Sequence, residues 1–295
     1  MLAEWERGAT IVLQGLHLTR PPVGAFCRSL EETLGHPAQA NAYYTPRNAQ
    51  GLPVHHDTHD VFVLQIAGEK RWLVYEPALE LPLRDQRYTA AFGDPGTPVE
   101  DRVLRPGDVL YLPRGWLHEA VTSETDSLHL TVGLNVVTWL DAFKAGLEEL
   151  RDDVRFRRSW QSAVETEDLL DALRGRLDHD SVGRRARTKL IRSRRPIRVG
   201  QLRQLRALAE LNLETELERN PTVLAELVER NATISLVFEG REVSFPRRVR
   251  DEVGWLAGSE GPFALSELPG SLDDEGRLVL ARRLVREGFL RLSEA

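Results

Sequence analysis

Three histidines and two acids fall within eight residues, Pro53-Val54-His55-His56-Asp57-Thr58-His59-Asp60. Imidazole and carboxylate are the donor types of a transition-metal site, so this cluster is the first candidate for chemistry. It contains one His-x-Asp unit, His55-x-Asp57. On an extended backbone residues two apart point to the same side, so His55 and Asp57 would share a face and His56 would take the other. Two ligands do not close a site. The best third is His118, at the end of Gly107-Asp108-Val109-Leu110-Tyr111-Leu112-Pro113-Arg114-Gly115-Trp116-Leu117-His118, where a short apolar strand meets a Pro-Arg-Gly turn. Two imidazoles and a carboxylate on one face of an ion leave its other positions open, the arrangement of non-haem Fe(II) oxygenases. Zinc accepts the same donors, so spacing alone leaves both metals open. His56 and His59 are read as supporting or surface residues.

These residues need a rigid frame. Val61-Phe62-Val63-Leu64-Gln65-Ile66 is β-branched and aromatic and reads as a buried strand directly after the cluster. Residues 8–16 read as a strand into a turn. Pro21-Pro22 opens a helix to about Leu34, with Phe26, Leu30 and Leu34 at fourfold spacing, and Gly35-His36-Pro37 ends it. From 38 to 137 short strands alternate with Gly/Pro turns, the pattern of a small barrel or jelly roll such as a cupin. Residues 78–101 form a polar insertion whose Arg84, Asp85, Arg87, Asp94 and Asp101 are expected in solvent.

Five blocks now stand in one order: Asn41-Ala42-Tyr43-Tyr44-Thr45-Pro46; Gln50-Gly51; His55-His56-Asp57; Phe62 through Trp72; and Gly107-Asp108 through His118. Together they resemble the Jumonji-C (JmjC) ribosomal-oxygenase branch of the cupin superfamily, the YcfD/MINA-like 2-oxoglutarate oxygenases. The resemblance covers residues 8–137 by motif and the rest more loosely. It implies a double-stranded β-helix that binds Fe(II), with 2-oxoglutarate as co-substrate, and hydroxylates an arginine or histidine side chain of a protein such as a ribosomal protein. His55, Asp57 and His118 match the iron ligands. Lys70 matches the lysine that pairs with the distal carboxylate of 2-oxoglutarate, a role suited to a compact charge on a long stem. Asn41, Tyr43 and Thr131 match positions lining the co-substrate pocket, although ordinary strand packing also accounts for Tyr43 and Thr131. Arg71 rivals Lys70 for the carboxylate, and strand alternation allows only one of the two to face inward. Members of the family carry a further segment before the strand at Thr10, so this chain is expected to be short at that end or to begin after its natural start.

The remaining chain changes character. Thr138 with Asp141 resembles a capping box. Leu140, Phe143, Leu147, Leu150 and Val154 recur at heptad spacing in a helix to about Arg158, and a second apolar helix runs through Leu169, Leu170, Leu173 and Leu177. Such helices pack on their own barrel or form the dimerisation module that the resemblance implies. Residues 181–206 hold ten Arg or Lys and no acid, from Arg184 to Arg206 with Arg198 among them; Asp178, Asp180, Glu210 and Glu214 flank the run. This reads as a solvated or acid-balanced stretch, and direct nucleic-acid binding is not expected. Beyond 200, Ile234–Phe238 and Glu242–Phe245 flank Glu239-Gly240-Arg241, a hairpin signal. Helices near 247–257 and 272–287 and a last strand at 288–292 resemble the winged helix that the family carries at its C-terminus. The expected architecture is therefore α+β: a catalytic double-stranded β-helix over 1–137, a helical dimerisation region over 138–199, and a winged-helix-like domain over 200–295.

Composition sets outer bounds. The 295 residues carry a net charge of −6 and a single cysteine, Cys27, so no internal disulfide forms and a reducing cytoplasm is expected. No apolar run is long enough to span a membrane. The expected partners are a protein or peptide substrate and a second copy of the chain. Three rivals to the protein hydroxylase stay open: a tailoring hydroxylase of a small peptide natural product, a non-catalytic dimeric scaffold, and demethylation of a methylated side chain by the same iron chemistry.

Overall fold

The computed structural model describes residues 2–159, 166–177, 179–196, 200–229 and 232–293. The chain divides into two units, Met1–Val136 and Val137–Ala295. The first opens with α1 (Leu2–Glu6), β1 (Ile11–Leu13), α2 (Leu16–Thr19) and α3 (Pro21–Leu34). Then come β2 (Ala38–Thr45), β3 (Asp60–Ala67), β4 (Lys70–Pro77), β5 (Glu100–Leu104), β6 (Val109–Leu112), β7 (Trp116–Val121) and β8 (Ser127–Leu134). They form a five-stranded sheet, β1-β2-β8-β3-β6, and a three-stranded sheet, β5-β4-β7. Every pairing is antiparallel. Bridges Gln50↔Val121 and His55↔His118 extend the smaller sheet beyond β7.

Strand alternation builds two layers of core. Val61, Val63, Trp72, Val74, Leu104, Leu112 and Ala120 meet between the sheets. Phe62 and Leu64, one residue out of phase on β3, face outward with Ala38, Ala40, Val132 and Leu134 and pack against α3. This is the cupin-like sandwich with helices that the strand pattern predicts.

Three local expectations are corrected. First, α3 spans the predicted residues but presents another face. Phe26 and Leu34 are exposed, while Val23, Cys27 and Leu30 meet the sheet. The inward stripe also carries an ion pair, Arg28–Glu31 at 2.5 Å. The Glu31 carboxylate turns inward because it accepts the backbone N–H of Ala38 at 2.7 Å, where β2 begins. Second, Asp101 belongs to β5 rather than to the polar insertion. There its carboxylate takes the Arg71 guanidinium at 2.5 Å on the outer face of the smaller sheet. Third, the helix expected to about Arg158 ends at Glu149, and two 3-10 turns, Leu150–Asp152 and Val154–Arg157, follow. The heptad seam is therefore interrupted: Leu150 is buried, and Val154 is 65 % exposed.

The second unit contains α4 (Trp139–Glu149), α5 (Glu167–Arg176), α6 (His179–Ser193) and α7 (Gln201–Ala207). It continues with β9 (Glu216–Arg219), β10 (Ala225–Glu229), β11 (Thr233–Phe238), β12 (Arg241–Pro246), α8 (Arg250–Gly258), β13 (Pro262–Ala264), α9 (Asp274–Glu287) and β14 (Leu290–Leu292). Two antiparallel three-stranded sheets, β10-β11-β12 and β13-β9-β14, share a core that includes Leu217, Leu236, Phe238, Val253, Leu284 and Phe289. The capping box holds: Thr138 Oγ1 accepts from Asp141 N at 3.1 Å, and Asp141 Oδ2 accepts from Thr138 N at 3.0 Å. The hairpin β11–β12 turns on Glu239 and Gly240, both at positive φ, as a two-residue primed turn requires. Much of the basic run is helical in α6, and acids distant in sequence help to balance it. Lys189 lies 3.8 Å from Asp141, and Arg192 lies 3.5 Å from Glu242. Asp178 and Arg198 fall outside the described residues.

Candidate metal centre

The site grows from one backbone pair. His55 N–H donates to His118 C=O at 3.1 Å, and His118 N–H donates to His55 C=O at 2.8 Å. Residues that exchange both bonds in an antiparallel pair point their side chains to the same side. Both imidazoles therefore face the cavity, with ring centroids 4.4 Å apart. Asp57, two residues along, joins them, and its Oδ2 lies 3.8 Å from His118 Nε2. One ligand atom from each of His55, Asp57 and His118 lies within 4.8 Å of the others. Each histidine engages its far nitrogen on the backbone. His55 Nδ1 meets Pro53 C=O at 2.8 Å, and His118 Nδ1 meets Trp116 C=O at 3.1 Å. A carbonyl accepts only from N–H, so both Nε2 atoms keep bare lone pairs. Burial, and next the neighbouring His55, lower the His118 pKa to about 4, which keeps the ring in its ligating, neutral form. The donor set fits one divalent ion with open positions.

A small cavity runs from this triad between the sheets, and Tyr43, Gly51, Lys70, Trp72, His129 and Thr131 line it. Lys70 opens β4 two residues after Gly68, whose left-handed φ of +64° makes the β3–β4 turn. Lys70 is 3 % exposed, and its ammonium donates to Thr45 Oγ1 at 2.8 Å. Burial lowers its pKa from 10.5 to about 8. Arg71 points outward to Asp101, so the alternation argument selects Lys70. Gly51 keeps space beside the ammonium, since a Cβ there would lie 2.9 Å from Lys70 Nζ. Tyr43 stands opposite His129 in the β2–β8 register. Burial raises the Tyr43 pKa, followed by the charge of Asp57, while bonds to Thr131 and Asn41 pull it back. Asn41 is placed beside the cavity rather than on its wall: its Oδ1 accepts the backbone N–H of Gly15 at 3.0 Å.

His56 faces away from the triad. Its Nε2 meets Gln86 C=O at 3.1 Å, and Tyr88 and Phe92 contact its ring edge-on. It thereby fastens the insertion to the back of the ligand-bearing segment. His59 packs over Gly133, where a Cβ would lie 2.4 Å from its ring.

Motif spacing did not single out Thr45, Trp72 or His129. His129 is 2 % exposed, and burial, then the charge of Lys70, lower its pKa to about 3. Alternation offered a signal, because Thr45 shares the inward phase of Asn41 and Tyr43, and His129 that of Thr131.

Comparison with known proteins agrees with this geometry. A sequence model described as the JmjC domain matches residues 20–142. The bifunctional lysine-specific demethylase and histidyl-hydroxylase NO66 of Drosophila persimilis is 39 % identical over 131 residues, covering 44 % of this chain and 19 % of that protein. Ribosomal oxygenase 1 of Homo sapiens is 39 % identical over 147 residues, covering 46 % of this chain and 23 % of that protein. The chain thus spans about a fifth of the length of these curated relatives. The X-ray structure of E. coli ycfD superposes with a TM-score of 0.59 at 17 % identity, covering 96 % of this chain and 79 % of that one. YcfD in complex with cobalt and 2-oxoglutarate gives 0.58 at 18 % identity, covering 97 % and 78 %. These likenesses to solved structures extend the fold agreement over nearly the whole chain. Residues 20–142, which hold the His55–Asp57–His118 cluster, thus match the JmjC domain, and over that region the chain is similar to the ribosomal oxygenases.

Proposed function

We propose that the protein is an Fe(II)- and 2-oxoglutarate-dependent oxygenase that hydroxylates an amino-acid side chain of a protein, with an arginine or histidine of a ribosomal protein as the leading acceptor. One observation carries this reading: a buried ammonium, Lys70, shares a cavity with two bare imidazole nitrogens and a carboxylate. Burying a lysine is costly unless an anion compensates it. A scaffold gains nothing from that cost, whereas a dicarboxylate co-substrate offsets it. The names of the relatives, ribosomal oxygenase and histidyl-hydroxylase, support the protein acceptor.

His55, Asp57 and His118 would hold the iron, which supplies the oxygen chemistry when bound. The residues of this chain do the rest. The backbone carbonyls of Pro53 and Trp116 aim the two Nε2 atoms. Lys70 takes the distal carboxylate and so sets the direction from which the 2-oxo acid enters the triad. Tyr43, Thr131 and Asn41 brace one wall of the pocket, and Trp72 with Val61 and Val63 keeps water from its floor.

Two further parts of the reading concern the second unit. Residues 138–199 are proposed as a dimerisation region, supported by exposed Leu140, Phe143 and Leu147 on capped α4. Residues 200–295 are proposed as a winged-helix-like domain, supported by the sheet β13-β9-β14 with α8 and α9. A cytoplasmic setting is proposed on the single, buried cysteine.

The test is succinate release from 2-oxoglutarate by anaerobically iron-loaded protein, with and without oxygen, beside Asp57→Ala and His118→Ala. Oxygen-dependent turnover lost in both variants is expected. Equal turnover in variants and wild type would overturn the triad.

A further inference from the structure

We propose that His129 is a further binding residue of the co-substrate pocket, donating a hydrogen bond to the distal carboxylate beside Lys70. The proposal rests on the oxygenase reading and adds a contact to it.

The imidazole lines the cavity and is 2 % exposed, yet its Nδ1 is buried with no hydrogen-bond partner among the described residues. Buried polar side chains are generally hydrogen-bonded, and each exception calls for a reason. Packing alone does not supply one. The ring lies parallel to Tyr43, at 1° and 5.0 Å, and presents an edge to Trp72 at 5.4 Å. A phenyl ring would fill that stack without an unmet polar atom.

The pocket itself points to an anion. A neutral imidazole always carries one N–H, so His129 offers a donor without a charge. The Lys70 ammonium has three N–H groups, and Thr45 takes one of them. A cation and a neutral donor lining one cavity suit an acceptor with two oxygens, each able to accept more than one bond. A carboxylate has that form, and one oxygen could face Lys70 while the other faces His129. The Tyr43 stack fixes the ring plane before the ligand arrives, so little rotamer freedom is lost on binding.

Calorimetry with Zn(II)-loaded protein tests this without turnover. Two probes share the chelating end: 2-oxoglutarate, and 2-oxopentanoate, which has a methyl group in place of the distal carboxylate. His129→Phe is expected to weaken 2-oxoglutarate roughly ten- to hundred-fold, the range for a hydrogen bond to a charged group. It should leave 2-oxopentanoate within about two-fold, since no distal carboxylate is lost. His129→Gln, which keeps a donor, should recover part of the loss. An equal loss for both probes would show a structural role and overturn the proposal. Unchanged 2-oxoglutarate affinity would do so too, leaving a water as the partner of the ring. Wild-type protein that binds Zn(II) but not 2-oxoglutarate would instead sink the co-substrate reading, and this proposal with it. If His129→Phe does not fold, the imidazole 15N signals of the labelled wild type decide. They should move with 2-oxoglutarate and stay with 2-oxopentanoate, and signals that move alike with both would overturn the assignment.

Discussion

Lys70 is a buried ammonium, 3 % exposed, and its chemistry sets a pH dependence. Burial brings its pKa down to about 8, so the free pocket begins to lose its cation just above neutrality. A distal carboxylate requires the ammonium, and binding above that pKa must take up a proton. Affinity for 2-oxoglutarate should therefore be flat below about pH 7.5 and weaken as pH rises through 8, approaching tenfold per unit. Lys70→Met should bind weakly at every pH and lose the slope. Calorimetry across pH 6.5–9.5 checks this, and an unchanged slope in the variant would remove Lys70 from the site. The stability of the empty protein runs the other way. The unfolded chain holds the lysine proton to higher pH than the folded chain, so this contribution is least favourable below 8 and improves toward 10.5. At this scale the sequence was most legible where chemistry follows strand period. His55 and Asp57 share a face, His56 turns away, and Lys70 rather than Arg71 enters the cavity. Thr45 and His129 were harder to see. Thr45 lies in a motif block and His129 in none, and each gains its role from a partner on another strand, Lys70 for Thr45 and Tyr43 for His129.

Elements hold these residues in register, and the β3–β4 turn is the tightest such point near the site. Gly68 takes φ +64°, and a Cβ there would lie 1.7 Å from the carbonyl oxygen of Asp126, just before β8. Backbone, not a flexible side chain, would have to move. Gly68→Ala should therefore destabilise the first unit by about 2–4 kcal/mol, combining the φ penalty with displacement of the β8 entrance. It should also lower 2-oxoglutarate affinity, because Lys70 follows two residues later. Thermal unfolding and calorimetry read both effects, and a variant as stable as wild type would show that the turn can give. Helix α3 shows what local pattern leaves out. Its limits were readable from Pro21-Pro22 and Gly35, which act on the backbone alone. Its buried face was not, because apolar spacing favoured Phe26 and Leu34 while the Glu31 bond to Ala38 N draws the Val23–Cys27–Leu30 stripe inward. A buried ion pair inside an amphipathic helix is invisible to hydrophobic period.

The whole molecule comprises a first unit that holds the candidate site and a second unit with its own core. Local signals in that unit were legible, as the Thr138–Asp141 box and the Glu239-Gly240 hairpin show. Sheet β13-β9-β14 was not, because it brings together residues 216–219, 262–264 and 290–292, and long-range pairing leaves little local trace. The heptad reading of α4 divides likewise. The spacing of Leu140, Phe143 and Leu147 is real, but helix continuity fails at Glu149, which leaves less than two heptads. So short a seam does not hold a coiled coil by itself. It can still contribute to a larger interface, since Trp139, Leu140, Phe143 and Leu147 are 61 %, 43 %, 39 % and 48 % exposed on one chain. Apolar side chains clustered along one helix mark a surface for association more than a solvated face. If two copies meet there, placing carboxylates in the seam should separate them while sparing the single chain, where these side chains already meet water. Phe143→Glu with Leu147→Glu should therefore shift sedimentation equilibrium from twice the 33.4 kDa chain mass toward one chain mass. Zn(II) and 2-oxoglutarate should still bind, because every residue of the candidate site lies before Val137. A wild type that sediments at one chain mass, or a double variant that stays at twice that mass, would rule out α4 as the seam of a dimer.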